Sequence, residues 1–563
     1  MESEQSEAGN QVNLVQLRAV ISESVEDFCG WLDLTLHERR PSHVLLGAVI
    51  GTLLLVWLTS RFNRVWDDLT ENGWKQSAFG ALRFVPLVEG MIEKEKNKVV
   101  NEVVSSNRAA LPDESPIVVM PRNGLRIEEI KKRLTEREKR NVQIAEGCST
   151  VSGTVYMRGK EFEEMLNDVY SMHSRTNPLH ANVFPSIRLL EAEVISMTAS
   201  MMGGGPDRLS TVCGAMTGGG TESILMAVKA SRDYMKKRRG ITQPHMIIAQ
   251  SAHAAYWKAA EYFKIKISVL PVDKAYKMSP RSVKNNLGRN TVLVVASAYG
   301  YPHGIVDPIE QIGAITKRAG VPLHVDGCLG GFVLHFASEL GRPVPKFDFS
   351  VEGVTSMSID THKYGMAHKG TSVVLYRFPE LRRCQYTSIS DWTGGLYISP
   401  GLAGSRSGAL IATAWASLMY HGLSGFKTTT KKILECADRF KQGIETSFPQ
   451  LEVIGEPQGS VIAFRSMKKS INIFKVHDLM TRRGWHLNTL QFPPGLHMCF
   501  TARHTQVVEL LLKDLKTCVD ALEKDPDCVK GGSAAIYGTS CSMPDRRVVG
   551  ELLDAYQDAM LEP

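Results

Sequence analysis

The strongest constraint on this chain is an alternation that begins near Val151, where helical stretches trade places with short β-branched runs. Glu191 to Met202, Thr221 to Lys237 and Pro308 to Ala319 read as helices, whereas Met246 to Ala249, Thr291 to Ala296, Val321 to Val325 and Val354 to Ile359 are short apolar runs of strand character. Alternation of this kind builds βα units, which assemble as a mostly parallel central sheet with helices on both faces, an α/β fold. A long helix is predicted near Gly408 to Tyr420, and from about Phe426 helices and strands mix in a smaller C-terminal α+β domain. A length of 563 residues accommodates one large domain and a smaller partner.

The segment ahead of this region has a different character. Residues 1–42 are polar and net acidic, and then Val44 to Leu58, VLLGAVIGTLLLVWL, carries no charge at all. As a helix, His43 to Ser60 would span roughly 27 Å, about the thickness of an endoplasmic reticulum bilayer. A buried helix and a signal-peptide core are the alternatives. The polar stretch before the run, and the lack of a small-residue cleavage site after it, favour a retained transmembrane anchor. Arg61, Arg64, Lys75 and Arg83 tilt the flanking charge toward a cytosolic C-terminal side. The expected organisation is a polar segment (1–42), a transmembrane helix (43–60), a juxtamembrane helical connector (61–111), an N-terminal arm of the catalytic unit (112–180), a large domain (181–425) and a small C-terminal domain (426–563). Pro112, Pro116 and Pro121 mark the entry to the arm, and Glu128 to Arg140 reads as an exposed charged helix.

Charge and cysteine usage remove several classes of function. Sixty-six basic against 59 acidic residues give a net charge of +7 spread along the chain, which lacks the dense basic face of a nucleic-acid-binding protein. The short runs Lys131-Lys132-Arg133 and Lys236-Lys237-Arg238-Arg239 fit solvated helix faces or helix C-termini. The ten cysteines are scattered singly without zinc spacing, so free thiols in a reducing compartment and no metal are expected.

Four short words carry chemistry. Thr217-Gly218-Gly219-Gly220-Thr221-Glu222 precedes an apolar-periodic helix, where glycines let backbone N–H groups approach an anion and the dipole favours a phosphate; a plain capping loop is the alternative. His253 follows the strand at Met246 to Ala249 and could stack on a flat ring, or be an ordinary histidine. Asp326 ends the strand at Val321 to Val325, at the edge of a parallel sheet where ligands sit, although a strand-end Asp is often only a helix cap. Lys363, in Asp360-Thr361-His362-Lys363-Tyr364-Gly365, follows the strand at Val354 to Ile359. A phosphate cradle, a ring to stack, a carboxylate for a pyridine nitrogen and a lysine, in that order, make Lys363 the Schiff-base lysine of a pyridoxal 5'-phosphate enzyme.

These words, with Ser152-Gly153-x-x-Tyr156, Asn177-Pro178-Leu179-His180, Gly204-Gly205-Pro206-Asp207, Pro302-His303-Gly304, Asp391-Trp392-x-Gly394-Gly395, Gly404-Ser405-Arg406 and Ala535-Ile536-Tyr537-Gly538, closely resemble the sphingosine-1-phosphate lyase family. That family belongs to the group II decarboxylase-like proteins on the type I, aspartate aminotransferase-like fold of PLP-dependent transferases. The resemblance runs from about Gly147 to the C-terminus, and the single anchor ahead of a cytosolic enzyme is similar to the eukaryotic members. It implies that Lys363 holds the cofactor with a lowered pKa, that Asp326 pairs with the pyridine nitrogen and that His253 stacks. It implies that Gly219, Gly220, Thr221 and His362 hold the cofactor phosphate, with Ser405 coming from a second subunit of a homodimer. Tyr156, Asn177, His180 and Lys369 are the implied substrate-side residues, Tyr156 moving a proton at the C3 hydroxyl, and Arg406 and Tyr537 help to close the site. The implied reaction cleaves the C2–C3 bond of a sphingoid base 1-phosphate to a long-chain aldehyde and phosphoethanolamine, at the endoplasmic reticulum membrane, with the catalytic domain facing the cytosol.

Gly218, Gly327, Ile359, Met366, His368 and Ser407 depart from the family's usual residues. Among them, Gly327 is expected to widen the floor under the cofactor ring. The alternatives to a lyase are an amino-acid decarboxylase of the same fold and a catalytically silent membrane scaffold.

Overall fold

The computed structural model describes residues 86–110, 117–139, 141, 150–157, 159–205, 211–529 and 546–562, together with 51, 52 and 54. The chain divides into two compact units, Met1–Gly124 with Ser542–Pro563, and Leu125–Cys541. Apart from Gly51, Thr52 and Leu54, the expected transmembrane segment lies outside the described residues, and among these no helix is long and apolar enough to cross a membrane.

In the first unit the helix Pro86–Ala110 packs along the helix Arg546–Leu561, and Lys96 pairs with Glu551 at 2.9 Å. The sequence reading counted the second of these helices with the small C-terminal domain. Its partner is in fact the connector helix, a pairing between residues some 450 positions apart that helical periodicity in either segment alone does not encode.

In the second unit a seven-stranded sheet holds β1 (Cys213–Thr217), β2 (His245–Ala249), β3 (Lys266–Leu270), β4 (Thr291–Ser297), β5 (Leu323–Asp326), β6 (Val354–Ile359) and β7 (Ser372–Tyr376) in the order β1-β7-β6-β5-β4-β2-β3. Only β7 runs against the others, because the turn from Asp360 to Thr371 is too short for a crossover and returns as an antiparallel neighbour. Alternate residues of the inner strands enter separate cores. Met246, Ile248, Val374 and Tyr376 pack on one side with Ile224, Val228 and Tyr256, whereas Ile247, Ala249, Val373 and Leu375 pack on the other with Phe332 and Phe336. Helices cover both faces, which is why β4 and β7 are buried at every position and read as apolar runs rather than as alternating ones.

The small domain has a second, antiparallel sheet of β10 (Leu451–Val453), β11 (Val461–Ser466), β12 (Asn488–Gln491) and β13 (Pro494–Cys499), in the order β10-β11-β13-β12; β8 (Thr387–Ile389) and β9 (Tyr397–Ser399) form a separate pair. The helical stretch Gly408–Ser447 joins the two domains and contains one break, at Gly422, whose φ of 54° is a left-handed conformation that glycine adopts without strain. It therefore continues well past the predicted end at Tyr420. Ser407 caps its start by accepting from Leu410 N, so the departure at this position supplies a helix cap. The predicted exposed helix is present as Ile127–Glu138, with no buried residue.

Candidate active site

Three loops meet at the C-terminal edge of the sheet: the one after β1, the end of β5 at Asp326, and the turn after β6 that begins at Asp360. In-register pairing of Asp326 with Ser358 sets the last two side by side. They line one cavity of about 670 Å³ with Gly218, Gly219, Gly220, Thr221, His253, His362, Lys363 and Tyr156.

The centre of this cavity is an ion pair. Lys363 Nζ lies 2.8 Å from Asp360 Oδ2, and His362 Nε2 is 3.7 Å from the same oxygen. Burial works against the charge on Asp360, yet Lys363 and His362 more than offset it and hold the carboxyl below its ordinary range. Burial also works against the Lys363 ammonium, and the Asp360 carboxylate outweighs it, so the lysine is raised rather than lowered. This corrects the lowered pKa that the resemblance implies for Lys363, because a carboxylate stands three residues earlier on the same turn. The opposite electrode of the pair was legible as the first residue of the Asp-x-His-Lys word.

The glycine loop fits around this pair. A Cβ on Gly220 would stand 2.7 and 2.8 Å from the Asp360 oxygens, so only glycine lets the carboxylate rise beneath the loop. No side chain caps the helix Gly220–Arg239, and its N-terminus opens on the cavity; Gly218 N donates to Glu222 Oε2 at 2.7 Å. His362 Nδ1 contacts the Thr371 carbonyl, which fixes the ring. Asp326 Oδ1 accepts from Cys328 N at 3.1 Å, and Ser358, which contacts the buried ring of His324, lies within 3.4 Å of it. His253 is exposed, and its Nδ1 accepts from Ala255 N, which holds the ring at the cavity wall.

Tyr156 is buried with its ring edge-on to Tyr364, centroids 4.9 Å apart, and Lys369 Nζ sits 4.6 Å above the Tyr156 ring. Lys369 is exposed as a residue, yet partial burial of its ammonium together with the nearby Lys363 charge lowers it to about 8. Asn177, Ser405 and Arg406 gather elsewhere: Asn177 Nδ2 donates to Ser405 Oγ at 3.1 Å, Asn177 Oδ1 accepts from Arg406 N, and Arg406 Nη2 lies 2.9 Å from Glu191 Oε2. None of these three, nor His180, lines the cavity of their own chain. His180 is exposed, and Tyr537 lies outside the described residues.

The cavity also contains residues that sequence reasoning missed, notably Tyr299, Asn488 and Cys499. Asn488 and Cys499 come from the small sheet, and no local pattern ties them to Lys363. Tyr364 joins the two halves. Its hydroxyl donates to the Phe500 carbonyl at 2.7 Å and also contacts Ser460 and Cys499, so the residue after Lys363 is a strut to the small domain.

A glycine cradle at an uncapped helix start, a strand-end carboxylate and a lysine in one cavity fit pyridoxal phosphate, and together they define a PLP-dependent enzyme on a decarboxylase-like α/β fold. A family model, the pyridoxal-dependent decarboxylase conserved domain, matches residues 128–467. The sphingosine-1-phosphate lyase of Arabidopsis thaliana is 44% identical, over 94% of this chain and 96% of its own length. That of Oryza sativa is 48% identical, over 86% and 88%. The solved sphingosine-1-phosphate lyase of Burkholderia pseudomallei superposes with a TM-score of 0.71 at 38% identity, covering 76% of this chain and 97% of that one. The chain belongs to the sphingosine-1-phosphate lyase family, and its cofactor is pyridoxal phosphate.

Two departures from the family's usual residues are coupled. A Cβ on Gly327 would stand 2.7 Å from Ile359 Cδ1, and one on Gly331 would stand 2.6 Å from it. The space that Gly327 leaves is therefore filled by Ile359, and the floor is not widened. Gly327→Ala alone is expected to cost about 1–3 kcal/mol from overpacking, and adding Ile359→Val, which removes Cδ1, should restore most of it; denaturant unfolding of the single and double variants checks this. Tyr364→Phe strips the hydroxyl from a buried network and should destabilise the domain by about 1–3 kcal/mol, with turnover falling as the lysine turn loosens, measurable by chemical denaturation alongside kcat.

Proposed function

We propose that this chain is a PLP-dependent lyase that cleaves the C2–C3 bond of sphingoid base 1-phosphates, releasing a long-chain aldehyde and phosphoethanolamine. The observation that carries the reading is the meeting, in one cavity, of the Asp360-paired Lys363, the glycine cradle, Asp326 and Tyr156 beneath the Lys369 ammonium. On this reading Gly219, Gly220, Thr221 and His362 hold the cofactor phosphate, Asp326 faces the pyridine nitrogen, His253 lies against the ring and Lys363 is the point of attachment. When bound, the cofactor supplies an electron sink for the charge left on C2 as the bond breaks. Lys369 provides a cation for the substrate phosphate, and the Tyr156 hydroxyl, whose proton burial and Cys499 hold tightly, relays a proton at the C3 oxygen.

The reading extends to a homodimer. Asn177, His180, Ser405 and Arg406 do not line their own cavity and are assigned to serve a second subunit's site. An exposed apolar surface on the β8–β9 pair, with Ile389, Trp392, Leu396 and Ile398, supports a protein contact there. It also extends to a single membrane anchor over 43–60 at the endoplasmic reticulum with a cytosolic catalytic domain, which the uncharged run Val44 to Leu58 and the basic residues after it support. An amphiphilic substrate that partitions into a bilayer suits an enzyme held at its surface.

Incubation with sphinganine 1-phosphate should yield aldehyde and phosphoethanolamine in equal amounts, and Lys363→Ala should reduce both to background. Carbon dioxide released from an amino acid, with no aldehyde from the phosphorylated base, would instead identify a decarboxylase. Lys369 is protonated below about 8 and neutral above it, so kcat/KM should decline as pH rises through that value. Lys369→Arg should move the decline to higher pH, because guanidinium stays charged; a pH profile with an unmoved alkaline limb would separate Lys369 from phosphate binding.

A further inference from the structure

Asn488, the first residue of β12, lines the active-site cavity from the small domain. Its amide nitrogen is committed twice, to Ser152 Oγ at 2.8 Å and to His497 Nε2 at 3.0 Å. The second contact determines which end of the amide is nitrogen. His497 is fully buried, and its Nδ1 lies 3.0 Å from the Pro302 carbonyl, which can only accept, so Nδ1 carries the ring proton. Burial lowers the ring to about 4 and keeps it neutral, which leaves a lone pair on Nε2 that must accept from Asn488. Ser152 Oγ also receives Cys499 N at 2.8 Å, so this wall of the cavity is tightly ordered.

The carboxamide oxygen is what remains. Among the described residues no group donates to Asn488 Oδ1, and the atom is not sealed in the interior, so this residue of the cavity wall carries an open acceptor whose direction its committed nitrogen fixes. A carboxamide oxygen accepts a hydrogen bond but is far too weak a base to take a proton. A substrate group that donates to it lastingly is therefore one that keeps its proton throughout the reaction.

The identity of that donor rests on the functional reading above. In a sphingoid base 1-phosphate the amine at C2 is consumed in attachment to the cofactor, and the hydroxyl at C3 must surrender its proton to a base. The phosphate offers acceptors. In 4-hydroxylated bases one donor is left at the polar end, the hydroxyl on C4, beside the bond that breaks. We infer that Asn488 is a specificity residue whose Oδ1 accepts a hydrogen bond from the C4 hydroxyl, so that the enzyme prefers 4-hydroxylated sphingoid base phosphates. His497 is a positioning residue that acts through the amide.

The test compares 4-hydroxysphinganine 1-phosphate with sphinganine 1-phosphate on the PLP-loaded enzyme. Because an acceptor that bound substrate covers and leaves unmatched discriminates between substrates, the wild-type ratio of kcat/KM should favour the 4-hydroxylated substrate by about 10-fold or more. Asn488→Leu should bring the ratio to about 1, and Asn488→Ala should do the same if leucine prevents folding. The ratio is taken between two substrates on one protein, so a general loss of folded or cofactor-loaded enzyme cancels, which a merely structural role for Asn488 would not alter. A wild-type ratio near 1, or a preference that survives both substitutions, overturns the inference while leaving the lyase reading intact. Failure of the wild type to cleave either substrate overturns the lyase reading first.

Discussion

The buried pairing of Asp360 with Lys363 is the interaction around which the site is arranged. Asp360 is almost fully buried; among the described residues no group hydrogen-bonds to its Oδ1, and Oδ2 serves both Lys363 and His362. A carboxylate so far from water is tolerable only with a cation beside it. The pair in turn dictates its surroundings. Gly220 must be glycine because the carboxylate occupies the space of a side chain, and the turn must be held rigidly, which the Tyr364 hydroxyl does by reaching the small domain. The lysine is thus fixed from below by a charge and from the side by a second domain.

Four of the seven strands of the large sheet and the loops beside them were legible in the sequence because each depends on local pattern, whereas β1, β3 and β7 were not read. β2, β4, β5 and β6 follow the apolar runs to within about two residues, and the glycine loop, Asp326 and Lys363 each sit at a strand end or helix start that turn chemistry marks. The helix that follows Gly408 was seen only to Tyr420, because Gly422 breaks the periodicity without ending the helical path. The pairing of the helix Pro86–Ala110 with Arg546–Leu561 was invisible, since each segment is simply amphipathic and the partner is a matter of tertiary packing.

The substrate side was much less legible. Tyr156 and Lys369 were found through family resemblance, whereas Asn488 and Cys499 reach the cavity only because β12 and β13 pair and fold against the large domain. Their local context reads as ordinary strand. Lys363 departs from the lowered pKa that the resemblance implies because its dominant neighbour is a carboxylate three residues away, a spacing that brings two side chains together on a turn just as it does on a helix.

The departures from family pattern show why residues in a packed site are better considered in pairs than singly. Gly327 alone suggests a vacancy and Ile359 alone suggests crowding, yet the Ile359 methyl occupies the place that a side chain at 327 would take. Packing at crystal-like density leaves no room for the two changes to be independent. Ser407 likewise acts through its surroundings, its hydroxyl capping the helix behind the Asn177, Ser405 and Arg406 cluster. Around Gly327 the identity of a single residue therefore says less about the cavity than the volume it shares with Ile359.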